Sequence, residues 1–130
     1  MIVYQFAGAV RHLAMKAHRD APADSWMGWS NGHWEGDTLV VETTGNNDST
    51  WFDRAGNHHS SALKVTERFN LVSENHLQYS ATIEDANVFS RPWTISMPLY
   101  RHIEPSAQIF EFKCVPFVEE LLYKDLELPK

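Results

Sequence analysis

The chain has 130 residues, 43% of them hydrophobic and 12% aromatic, with a formal net charge of −6. That length suits one domain with a real core, and an acidic chain without a Lys/Arg stripe is a poor match for nucleic acid or an anionic membrane. The single cysteine, Cys114, excludes an intrachain disulfide and a CxxC metal or redox pair.

The N-terminal stretch MIVYQFAGAVRHLAM is broken by Gln5, Arg11 and His12, and it lacks the basic start and unbroken apolar run of a signal peptide. No segment approaches the ~18 consecutive apolar residues that span a bilayer. A cytoplasmic location is the expectation for the chain as it stands. Period-two alternation predicts a first strand pair, Ile2 to Phe6 and Val10 to Met15, around Gly8. One turn of helix fits between Met15 and Ala23. A long strand from His33 to Thr44 follows, interrupted by a turn at Glu35-Gly36-Asp37-Thr38. Ala62 to Val72 and His76 to Glu84 read as a hairpin with Ser73-Glu74-Asn75 as its polar turn. Trp93 to Arg101 and Gln108 to Val115 read as another, joined by His102 to Ser106. Only the tail, Phe117 to Leu126, suits a helix: Val118, Leu121 and Leu122 fall at helical spacing, and Pro116 sits near its start.

Two long loops, residues 16–32 and 45–61, are rich in Trp, Asn, Asp, His and Gly; connections of that length usually carry function. The expected fold is therefore mainly β, an antiparallel meander of about seven strands closing into a small lipocalin-like β-barrel with one C-terminal helix, as a single domain over residues 1–130. The alternatives are a curved sheet packed on the C-terminal helix and a barrel completed at a homodimer interface.

Several separated strings agree in order: Trp34-Glu35-Gly36-Asp37-Thr38-Leu39-Val40-Val41-Glu42-Thr43-Thr44-Gly45, then DSTWFDRAG from Asp48 to Gly56, His59-Ser60 followed by Leu63, Val65, Glu67 and Arg68, and Pro92-Trp93-Thr94. Over residues 9–115 the chain resembles a family of bacterial hypothetical proteins with the pattern G-x-WEGDTLVVET-x-G-x-ND, a domain of unknown function. The resemblance implies no activity. It is to the C-terminal part of longer, exported relatives. It breaks off after Cys114, where Val115-Pro116-Phe117-Val118-Glu119 replaces a C-x-E-N-like ending.

Glu67 carries the most chemical information. It alternates onto the face of Leu63, Val65, Phe69 and Leu71. A buried carboxylate without a partner is costly, and such groups become usable acids or bases; the structural reading pairs it with an arginine such as Arg11 or Arg101. His58 and His59 end the loop that leads into the same strand. His59 is the better match to the family string and the candidate to couple with Glu67. Tyr79 shares a face with Leu77, Ala81 and Ile83 and is the inward hydroxyl candidate, ahead of Tyr4 and Tyr100. Asp53, close after Trp51, either places an acid beside an apolar wall or binds loop amides. Trp26 and Trp51 are expected to line a pocket, with His33 and His58 as further substrate contacts. Glu111 is expected to face solvent, opposite the more apolar Phe110, Phe112 and Cys114.

There is no HExxH, no HxH and no Cys/His array. No cofactor is expected; a divalent metal on His59, His33 and Asp53 is the minority alternative. No GxSxG elbow or phosphate loop is present, and Lys16, Lys64, Lys113, Lys124 and Lys130 offer no desolvated Schiff-base lysine. The resulting expectation is a lyase or isomerase, including retro-aldol C–C cleavage. It would act on a small aromatic or cyclic molecule, with Glu67 or His59 as base and Tyr79 or an arginine as hydrogen-bond donor. The alternative is a non-catalytic barrel binding a hydrophobic ligand, and a third reading is a partner-binding module whose loop tryptophans form a dimer interface.

Overall fold

The structure, a computed structural model, describes residues 1–53 and 55–110. Its strands in chain order are β1 (Ile2–Val3), β2 (Val10–Arg11), β3 (Leu13–Ala14), β4 (Trp29–Glu35), β5 (Thr38–Thr44), β6 (Lys64–Ser73), β7 (His76–Glu84) and β8 (Trp93–Tyr100). β1 and β2 form a separate antiparallel hairpin around a 3-10 turn at Phe6–Gly8, and β3 to β8 form one sheet in sequence order. The protein is mainly β.

Turn chemistry fixes the registers. Glu35 pairs with Thr38 across Gly36-Asp37, and Gly36 has φ 58°. That is the glycine-first arrangement of a II′ hairpin, which sets every β4–β5 pair behind it. The β6–β7 turn uses Glu74-Asn75, neither at positive φ, and a register shift between Leu71 and Ser73 accompanies it. The parallel ladder of β3 on β4 departs from the antiparallel meander and is reached through residues 15–28.

Opposed residues in an antiparallel ladder point to the same side. Following the registers across the sheet gives one apolar face: Leu39, Val41, Val65, Glu67, Phe69, Leu77, Tyr79, Ala81, Ile83, Trp93, Ile95, Met97 and Leu99. The other face carries Glu35, Glu42, Lys64, Arg68, Gln78 and Ser96, tied by Lys64–Glu42 at 3.0 Å, Arg68–Glu35 at 2.7 Å and Gln78–Ser96 at 2.9 Å. At one end of the apolar face Leu63, Ala81 and Ile83 are buried under Phe52, Phe89 and Trp93, which meet edge to face. Toward the other end the face opens: Ile95, Met97 and Leu99 are each about two-fifths exposed, Leu71 and Trp34 more so.

The long strand expected from His33 begins at Trp29. Ser30 and Asn31 are polar yet buried: Ser30 shares a hydroxyl bond of 2.8 Å with Thr43, and the Asn31 amide receives the Arg19 N–H and donates to the Arg19 carbonyl. Satisfied polar residues in a strand imitate a loop in sequence. Among the described residues β3 and β8 are edges and the sheet does not close into a barrel. Of the expected strand Gln108 to Val115, residues 108–110 are not in a strand; the remainder, with Glu111, Cys114 and the helix Phe117 to Leu126, lies outside the described residues.

Candidate active site

Glu67 sits in mid-sheet, opposite Val41 on β5 and Ala81 on β7, and is 6% exposed. Its flanking side chains are apolar, so its charge must be met from above the sheet. Arg11, from the β1–β2 hairpin, brings Nη1 to 2.7 Å from Oε2. The Tyr79 hydroxyl donates to Oε1 at 3.0 Å. The Arg11 approach is an ion pair without hydrogen-bond alignment, since Oε2 has no hydrogen-bond donor among the described residues. The guanidinium lies 5.9 Å from the centre of the Tyr4 ring, within cation–π range. Tyr4, Arg11, Glu67 and Tyr79 thus form one polar cluster on the apolar face.

Two donors of this cluster are unused. Arg11 Nε and Nη2 are buried and have no hydrogen-bond partner among the described residues. Each such unmade bond costs roughly 1–3 kcal/mol, so the arrangement favours an incoming acceptor. A cavity of about 360 Å3 adjoins Arg11, with Leu13, Met27, Trp29 and Ser30 among its walls. Burial first, then the Glu67 charge and hydrogen bond, push the Tyr79 hydroxyl up from its ordinary value. Burial and Glu67 also raise Tyr4, with Arg11 opposing. Both phenols therefore stay protonated at neutral pH, and Tyr79 donates to Glu67.

The other residues singled out in the sequence lie elsewhere. His59 is buried, but its Nε2 is bonded to Thr50 Oγ1 at 2.9 Å and its Nδ1 to the Ser60 carbonyl at 3.1 Å. The expected couple with Glu67 is absent because both ring nitrogens are committed to its own loop. His58 is exposed and stacks on His59. Asp53 accepts from the Ala55 and Asn57 amides and from Asn57 Nδ2 at 2.6 Å; the Asn57 side chain leads in holding its carboxyl below the usual range. It closes a turn, the second of the two roles open to it. Trp26 and Trp51 are 67% and 77% exposed and do not line the cavity beside Arg11. His33 is exposed on the polar face, 3.2 Å from Glu35. Among the described residues no three His, Cys, Asp or Glu side chains converge as metal ligands.

Arg11 was legible only as the structural partner of Glu67, and nothing in the sequence marked its spare donors. Asp85 was not singled out at all. It is 3% exposed and accepts from the Ser60 amide at 2.6 Å, the Ser60 hydroxyl at 2.8 Å and the Asn87 amide at 3.1 Å. An Asp two residues before an Asn, just past a strand, was its one signal. Among the described residues no helix is long and apolar enough to cross a membrane. No family model, curated protein or solved structure matches the chain.

Proposed function

We propose that the protein binds a small organic molecule, aromatic or cyclic, against the apolar sheet face and moves a proton on it, as a lyase or isomerase. The observation that carries this reading is the buried Glu67 carboxylate with a tyrosine hydroxyl at 3.0 Å and a guanidinium at 2.7 Å. Glu67 is the base. In a retro-aldol cleavage it takes the hydroxyl proton of a β-hydroxy carbonyl compound; that carbon becomes a carbonyl as the Cα–Cβ bond breaks, and the bonding pair passes into an enolate. The enolate oxygen accepts from Tyr79 O–H, released as Glu67 gains its proton, and Glu67 then returns the proton to carbon. An isomerase would use the same groups to remove and return an α-proton. Arg11 supplies positive charge beside the developing oxyanion. The proposal extends to closure of the sheet toward a lipocalin-like barrel, with the amphipathic tail expected over residues 117–126 or a second copy covering the face.

The second reading, a binding barrel without turnover, is favoured by the ion pair itself, since Arg11 already compensates Glu67. One experiment separates the two. A panel of aryl ketones and β-hydroxy ketones is incubated with the protein in deuterated buffer, and α-proton exchange is followed by NMR. The enzyme reading expects exchange above buffer that falls by ~100-fold or more in Glu67→Gln. Compounds that bind yet exchange at the buffer rate would leave only the binding reading.

A further inference from the structure

The two unused nitrogens of Arg11 are not an arbitrary pair. Nη1 is turned to Glu67, while Nε and Nη2 are buried donors without partners among the described residues. Nε–H and Nη2–H are parallel on one edge of the guanidinium, the edge that takes a carboxylate through two bonds. A single neutral carbonyl oxygen would have to share both donors. From this we infer that the molecule bound here is an organic carboxylate, its two oxygens on the Nε/Nη2 edge of Arg11 and its hydrocarbon part on the apolar face. The inference rests on the small-molecule reading above and narrows it to acidic ligands.

With a carboxylate bound, Arg11, Glu67 and the ligand carry one net negative charge between them. The ligand shares one guanidinium with Glu67, which has Arg11 at 2.7 Å on the opposite edge and the Tyr79 hydroxyl at 3.0 Å. Tyr4 and Tyr79 stay protonated, so neither adds a negative charge next to the anion. Arg11 borders the 360 Å3 cavity, and among the described residues the β1–β2 hairpin pairs with no strand of the main sheet.

The test uses the full chain with phenylacetate and cyclohexanecarboxylate, and with the corresponding neutral amides as isosteres. Titrations should show the carboxylates binding ~10-fold or more tightly than the amides, as charge-assisted paired bonds require. Arg11→Lys, which keeps the charge and loses the edge, should abolish that preference. In the wild-type protein the carboxylates, and not the amides, should shift the Arg11 Nε–H resonance, a readout that does not depend on the variant folding. Equal affinity for acid and amide, a preference that survives in Arg11→Lys, or no carboxylate binding up to about 10 mM would overturn the inference; the last would mean that water alone meets the edge. Exchange of neutral ketones at Glu67 without any carboxylate preference would sink this inference and spare the proton-transfer reading. Carboxylate binding at Arg11 without exchange would do the reverse.

Discussion

Glu67 and Arg11 are 8% and 11% exposed at their side chains, so each depends on the other for its charge. Removing one partner of such a pair strands the other, at a cost of roughly 3–5 kcal/mol, whereas replacing both with apolar groups is close to neutral. Glu67→Leu should therefore lower unfolding free energy in urea by that amount, and Glu67→Leu with Arg11→Met should recover most of it. Additive losses in the double variant would show that the pair is not coupled. The alternation of Leu63, Val65, Glu67 and Phe69 was enough to place this carboxylate on the apolar face, because a strand's side-chain period is fixed. The same alternation placed Tyr79 there. The aim of His59 was not legible, since a loop imidazole turns to whatever acceptor its own backbone offers, and here that is the Ser60 carbonyl, with Thr50 on the other side.

At the level of elements, the two turns that could be read in sequence are those whose residues demand them: Gly36-Asp37 and the polar Glu74-Asn75. The start of β4 could not be read, because Ser30 and Asn31 hide their polarity in bonds to Thr43 and Arg19 that only the fold reveals. Long-range polar contacts also hold the loop over residues 45–61. Asp85, just past β7, receives the amide and hydroxyl of Ser60 and so ties the loop's end to the aromatic cluster. Burial pushes its carboxyl up, but the Ser60 and Asn87 donors outweigh burial and leave it below the ordinary range. A lowered carboxylate contributes stability above its unfolded value, about 3.9, and loses it as pH falls through the folded value. Asp85→Asn should thus cost roughly 1–3 kcal/mol near neutrality, and the gap between wild type and variant should shrink only below about pH 4. Urea unfolding at a series of pH values reads this directly; a gap that stays constant into acid would contradict it.

For the molecule as a whole, the sheet gathers its exposed ion pairs on one face and most of its apolar side chains on the other. Ion pairs run along one face, and the other holds a buried end cluster, the Glu67 site and the open apolar strip of β8. The two-faced sheet was legible from period-two patterning alone. Closure was not, because strand alternation is the same in an open sheet and a barrel, and the parallel pairing of β3 has no sequence signature in two residues. The central claim is one of place: a small molecule sits on the apolar face over Glu67. Methyl-resolved NMR of the protein with a bound aryl ketone or phenylacetate tests it most directly. The account predicts shifts at Val41, Ile95, Met97 and Leu99, together with the Tyr79 ring. Shifts confined to the exposed loop tryptophans Trp26 and Trp51, with those methyls and Tyr79 unmoved, would contradict it.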